Sequence, residues 1–288
     1  MDIYPDLSKP GSKKSVFRRK VIFAAALVVA AAAAVYIINP PHKSFAISSR
    51  ILGEKQTILE YLPAGYKSSG KAYPLLFLLD ADPQASAYGP SFYTIAQKLN
   101  SRGAPFPEMI VLGVTNTDRN RDMIPVPNAE FYAPGKARNF LQFITEELIP
   151  NIEARDRVKD FRILYGRSDS GLFALYALMD APDAFQAVIA SSPSLSCCPV
   201  FMADKIKKLF QKRPNLAKTL FIIYGSNELY VADLVPKFAA QIKAVSPENF
   251  IVGVKSVPGG GHIPKSSLEQ GLQFVFSRRG QATKEGAR

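Results

Sequence analysis

The 288 residues, 47% hydrophobic and 21% charged, have the composition of an ordinary globular protein and are enough for one large α/β domain with a sizeable core. The net charge of +12 is partly a targeting feature, because Lys9, Lys13, Lys14, Arg18, Arg19 and Lys20 crowd the first twenty residues; with no stacking-aromatic or helix-turn-helix pattern beside the charge, no nucleic acid is expected as a partner. The two cysteines, Cys197 and Cys198, are neighbours in sequence, which excludes a disulfide framework.

Residues 1–20 form a basic lead. Residues 21–38 (VIFAAALVVAAAAAVYII) carry no charge and are just long enough to cross a hydrocarbon core as a helix. More cations precede this run than closely follow it, so the lead should stay in the cytoplasm and the remainder be exported. Two readings stay open. One is an uncleaved transmembrane anchor that holds the chain on the extracytoplasmic (periplasmic) side; the other is a signal peptide cut within the alanines at 31–34, giving a secreted protein. The long charged lead, Tyr36 and the Asn39-Pro40-Pro41 break favour the anchor. Residues 39–47 read as a linker.

From residue 48 the pattern alternates strand and helix. Residues 56–62 are apolar at every second position and end at a Pro-Ala-Gly-Tyr turn. Residues 74–79 (PLLFLL) and 109–114 (MIVLGV) are continuous apolar runs, the mark of strands buried on both faces of a parallel sheet. Further strands are predicted at 162–165, 187–190, 220–224 and 250–257, with helices at 137–153, 172–179, 231–245 and 266–276, each apolar at three- and four-residue spacing. A cluster of Lys205, Lys207, Lys208, Lys212, Arg213 and Lys218 falls on one further helix and the loop after it, and reads as a solvated face. The alternation predicts an α/β class chain with a doubly wound, mostly parallel sheet and helices on both faces, over residues 48–277. Residues 278–288 read as a disordered polar tail.

Within RILYGRSDSGLFALYAL, Ser168 stands between a buried strand and a helix, the place of a nucleophile elbow, with Gly166 before it and Ser170 and Gly171 after it. Ser170 takes the position of the last glycine of G-x-S-x-G. A serine hydroxyl needs a base, and of the two histidines His42 falls in the linker, leaving His262, in a glycine-rich loop after the last strand. An acid must orient that imidazole: Glu228, after the strand LFIIY, stands in the order serine, acid, histidine, and Asp233 is its rival. The oxyanion donors are expected to be the backbone N–H groups of Asp169 and of Ala81, the latter in the loop after LLFLL. Asp80, Arg119, Arg121 and Arg167 are the candidate substrate contacts; for the segment at 118–122 an internal ion-pair set that fixes a long loop is the equal alternative.

Together LGEKQTILEYLPAGY, YPLLFLLDAD, VLGVTNTDRNRDMIPVP, FLQFITEELIPNIEA, ILYGRSDSGLFALYAL, the Ser-Pro-Ser at 192–194 and GHIPKSSLEQGLQFVF resemble the esterase family of α/β-hydrolases that includes enterochelin esterases and esterase D-like serine hydrolases. The resemblance runs from about residue 48 to 277. It implies the α/β-hydrolase fold and hydrolysis of carboxylic esters without metal or other cofactor. It maps Ser168 onto the nucleophile and His262 onto the base of a G-H-S-x-G-G elbow, and puts Arg167 where histidine is usual. The implied partner is a small-molecule ester, a siderophore lactone among the candidates. An acyltransferase on the same scaffold and a catalytically inactive, membrane-tethered binding protein are the alternatives.

Overall fold

In the computed structural model residues 42–82 and 92–285 are described; the basic lead, the apolar run at 21–38 and residues 39–41 of the expected linker lie outside them. The apolar runs become the middle of a sheet. Tyr73–Leu79 (β3) and Ile110–Val114 (β4) are buried along their whole length, because helices cover both faces. Around them stand His42–Ser49 (β1), Glu54–Tyr61 (β2), Val158–Arg167 (β5), Ala187–Ser191 (β6), Thr219–Gly225 (β7) and Ile251–Val257 (β8). The sheet has the order β1-β2-β4-β3-β5-β6-β7-β8, parallel from β4 to β8 and antiparallel at β1/β2 and β2/β4.

The helices that the site and its setting use are Phe92–Leu99 (α1), Arg119–Met123 (α2), a rod of three consecutive runs Ala137–Gln142, Phe143–Leu148 and Ile149–Arg155 (α3), Asp169–Asp180 (α4), Pro199–Lys212 (α5), Leu229–Val245 (α6) and Ser267–Glu285 (α7). The middle run of α3 is a π-helix that ends at Leu148, two residues before Pro150. A proline lacks an N–H and its ring presses on the carbonyl four residues back, so a locally widened turn is the way for the helix to pass it. Ten consecutive residues of α4, Ser170 to Met179, are buried. That helix is the inner wall of the core: it packs on β5 and β6, and its Phe173 meets Phe140 of α3 edge-on.

Two expectations are corrected. Residues 42–47 are not linker: they begin β1, with Phe45 opposite Ile58 and Ile47 opposite Gln56, so His42 belongs to the sheet. As an edge strand β1 buries little, and its alternation is confined to Phe45 and Ile47, whose inner side receives the Arg155 guanidinium 3.9 Å above the Phe45 ring. The polar segment at 278–285 is not a coil but continues α7, since its sequence lacks apolar periodicity yet contains no proline to stop a helix. Among the described residues no helix is long and apolar enough to cross a membrane.

Candidate active site

The strand order reverses at β3: the chain goes from β3 outward to β4, then returns past β3 to β5 and continues to β8. Such a reversal opens a crevice at the carboxyl ends of the two strands. Asp80 follows β3 there and Ser168 follows β5.

The turn at Ser168 is tight. Its backbone is left-handed, with φ 58° and ψ −122°, a conformation that a non-glycine residue keeps only when its surroundings fix it. They do: the Ser168 N–H donates to the Ser191 carbonyl at 2.9 Å, and the Ser168 carbonyl accepts from the N–H groups of Leu172 at 3.0 Å and Ser194 at 3.1 Å. A Cβ on Gly166 would sit 2.0 Å from the Ser170 carbonyl oxygen, so only glycine lets β5 pass under the turn. The result is a hydroxyl carried above the sheet edge, 3.3 Å from the Ser194 hydroxyl. Asp169 opens α4, whose first N–H groups have no carbonyl within the helix to bind and form the positive end of its dipole.

The loops after β7 and β8 are stitched together. Ser226 N–H donates to the Val257 carbonyl at 3.0 Å, Asn227 N–H to the Gly260 carbonyl at 3.1 Å and Gly259 N–H to the Ser226 hydroxyl at 2.9 Å. Gly225 makes this approach possible, because a Cβ there would meet the Gly261 carbonyl oxygen at 2.1 Å. The stitching delivers Glu228 Oε2 to within 2.5 Å of His262 Nδ1. Asp233, the rival acid, instead pairs with Lys237 one helical turn away, at 2.7 Å.

The candidate substrate contacts fare differently. The Asp80 carboxylate, itself on a left-handed residue (φ 55°), accepts from Asn116 Nδ2 at 2.7 Å, Arg119 Nε at 3.0 Å, Arg119 Nη2 at 3.2 Å and the Ser170 hydroxyl at 2.6 Å. Arg119 also pairs with Asp169, and burial, which works against its charge, is outweighed by these two carboxylates, so its pKa lies above the ordinary arginine value. Arg121 is bound to Asp122 at 2.7 Å and to Glu54 at 2.5 Å, and those bonds raise its pKa. Asp80, Arg119 and Arg121 therefore form the internal ion-pair set rather than a ready contact for substrate. Arg167 is half-buried beside Ser168.

One expectation fails outright. The Ala81 N–H donates to the Val114 carbonyl at 3.2 Å, extending the β3/β4 ladder, and is not free to serve as an oxyanion donor. Ser170 is fully buried with its hydroxyl committed to Asp80, so it cannot stand in for Ser168. Burial pushes the Cys197 thiol up to about 12 and the Cys198 thiol up to about 11, which leaves both unreactive near neutral pH. Asn116 and Ser194 take part in the site without having been singled out; only their position at strand ends, beside motifs already noted, could have signalled them. Among the described residues no cluster of three histidine, cysteine or acidic side chains is placed to hold a metal ion.

The chain is 29% identical over 181 residues to the ferri-bacillibactin esterase BesA of Bacillus subtilis (strain 168), which covers 54% of this chain and 60% of that protein. It is 30% identical over 155 residues to a siderophore enterobactin esterase of Emericella nidulans, covering 44% and 48% respectively. The chain thus spans about half to three-fifths of the length of these curated relatives. The crystal structure of an IroE-like serine hydrolase from Shewanella oneidensis superposes with a TM-score of 0.71 at 28% identity, over 82% of this chain and 80% of that one. The siderophore hydrolase EstA of Aspergillus nidulans shares the fold, with a TM-score of 0.70 at 20% identity, over 82% and 94%. A family model described as "Putative esterase" matches residues 49–231, which is more than half of the chain and includes both Ser168 and Glu228, and the chain belongs to that family.

Proposed function

We propose that this chain is a serine hydrolase of carboxylic esters, acting through an acyl-enzyme on Ser168 with His262 as base and Glu228 as the orienting acid. The observation that carries the reading is the 2.5 Å contact between Glu228 Oε2 and His262 Nδ1 at the same sheet edge as the left-handed Ser168. An ionised Glu228 draws the imidazole proton onto Nδ1, which leaves the lone pair on Nε2 for the serine proton. As Ser168 Oγ attacks the ester carbonyl, its proton passes to Nε2 and the carbonyl electron pair moves onto oxygen. The Asp169 N–H at the head of α4 faces that developing charge with the helix dipole behind it. Collapse expels the alcohol, which leaves with the proton from Nε2. Water then repeats the two steps and releases the acid.

The substrate reading is a siderophore lactone or another small ester with aromatic or aliphatic groups. Two observations support it: the names borne by the relatives, and the exposed Tyr132, Val200, Leu229 and Tyr230 on the connections that leave the carboxyl ends of β4, β6 and β7. We also propose, from the cation bias around residues 21–38, that the domain works outside the cytoplasm on a membrane anchor. The test of the activity is a hydrolysis screen of short-chain p-nitrophenyl esters, feruloyl esters and ferric catecholate trilactones. Turnover of at least one by the parent, and none by Ser168→Ala, is expected; equal rates for parent and variant would remove the reading.

A further inference from the structure

Arg119 sits at the mouth of the crevice, yet the bonds of its guanidinium run to groups that surround Ser168. Nε and Nη2 bind the Asp80 carboxylate, Nη1 binds the Asp169 carboxylate, and Nη2 lies 3.5 Å from the Arg167 carbonyl oxygen. The residues immediately before and after Ser168 are thus both tied to one planar cation, and that cation is tied in turn to the turn after β3. Resting on the reading of Ser168 as nucleophile and Asp169 as an oxyanion donor, we propose that Arg119 is a positioning residue. It holds the Ser168 turn against the Asp80 turn so that the Asp169 N–H points at the oxyanion, without touching substrate itself.

Three further facts carry the proposal. Asp80 and Ser168 both adopt left-handed backbone, with φ 55° and 58°, and such residues persist only where surrounding bonds over-determine them. The Asp80 carboxylate receives four bonds, which fills its acceptor capacity, and one of them comes from Ser170, two residues beyond the nucleophile. A serine hydroxyl has one proton, and the 2.6 Å bond to charged Asp80 Oδ2 takes it in preference to the neutral Arg167 carbonyl at 2.9 Å, so Ser170 is a second tie between the same two turns. Lastly, two carboxylates face a place where negative charge develops, and Arg119 is the cation bound to both. Without it they would oppose the transition state. A guanidinium can fork to Asp80 and still reach Asp169; an ammonium keeps the charge but not the fork.

Kinetics on the full chain, with the ester that the screen identifies, separate this role from its rivals. Arg119→Met is expected to lower kcat about tenfold to a hundredfold, somewhat less than direct removal of an oxyanion donor, with KM changed less than about threefold. Arg119→Lys should lose about tenfold. Adding Asp169→Asn to Arg119→Met should recover several-fold of the loss, because the unpaired carboxylate is gone while the backbone N–H stays; a merely structural role would not be rescued in this way. A rise in KM at constant kcat would make Arg119 a substrate contact and overturn the proposal, as would a kcat within threefold of the parent or a double variant no faster than Arg119→Met. If Arg119→Met does not fold, Arg119→Lys decides by the same threefold limit. Ser168→Ala run in parallel keeps the two readings apart: activity in that variant removes the nucleophile assignment, whereas a dead Ser168→Ala beside a normal Arg119→Met removes only the role given to Arg119.

Discussion

Replacing Glu228 by glutamine keeps the side chain's length but removes the charge that faces His262 across 2.5 Å. The amide can now donate to Nδ1, which drives the imidazole proton onto Nε2, the atom that must be free to accept from Ser168. In a buried triad the equivalent exchange lowers kcat by about 10⁴. Here the side chains of His262 and Glu228 are 42% and 28% exposed, so water screens part of the interaction and can restore part of the correct tautomer. The expected loss is therefore about 10²–10³ in kcat, or ~3–4 kcal/mol of transition-state stabilisation, with little change in KM. The assay is initial-rate kinetics across pH 5–9 for the parent, Glu228→Gln and Asp233→Asn. The parent's kcat/KM should climb with pH, because only a neutral imidazole can take the serine proton. Asp233→Asn should stay within about twofold of the parent, since that carboxylate serves only an exposed pair with Lys237. A large loss in Asp233→Asn with a normal Glu228→Gln would refute the assignment; losses in neither would mean a serine–histidine pair that works without an acid.

Gly166→Ala should destabilise the fold by ~1–3 kcal/mol, lowering Tm by about 2–12 °C, because the new methyl meets a backbone oxygen 2.0 Å away; an unchanged melting curve would show that the turn relaxes freely. For Asp180, burial favours the neutral acid, but the Lys205 ammonium and the Tyr176 hydroxyl outweigh it and hold the pKa below the ordinary aspartate value. Its stabilising contribution is then present above about pH 4 and fades as pH falls through the lower folded-state value; with solvent screening these part-exposed pairs, the unfolding free energies from urea titration of the parent and Asp180→Asn should differ by ~0.5 kcal/mol at pH 7 and converge as the pH falls well below about 4. A gap that widens on acidification would contradict that sign. Protease added to intact spheroplasts should digest the region beyond residue 48 and spare the first twenty residues, and full protection of the C-terminal region would contradict the exported topology.

What the sequence disclosed follows from how each signal arises. PLLFLL and MIVLGV could be read as central strands because burial on both faces leaves no polar position to confuse the pattern. The tight turn at Ser168 and the loop that carries His262 were legible as backbone features, because an elbow and a glycine-rich loop need small residues at fixed offsets, and the contacts at Gly166 and Gly225 show what those residues make room for. The edge strand β1 was not legible: a half-solvated strand after two prolines carries only Phe45 and Ile47 as apolar markers. Nor could sequence decide between Glu228 and Asp233, five residues apart, since the choice turns on the helical start at Leu229, which aims one carboxylate at the β8 loop and turns the other toward Lys237. Ala81 was misassigned for a similar reason, because whether a loop N–H is free depends on the register of the strand beside it, here Val114.

Covalent labelling reads out whether Ser168 is an activated nucleophile. Full-length protein treated with an alkyl fluorophosphonate and digested should carry one phosphonyl adduct, on the peptide that contains Ser168. The adduct should be absent from Ser168→Ala and should form at least a hundredfold more slowly in His262→Ala, where no base takes the serine proton. Labelling of Ser168→Ala to the same extent as the parent, or a parent that hydrolyses esters while remaining unlabelled, would contradict it.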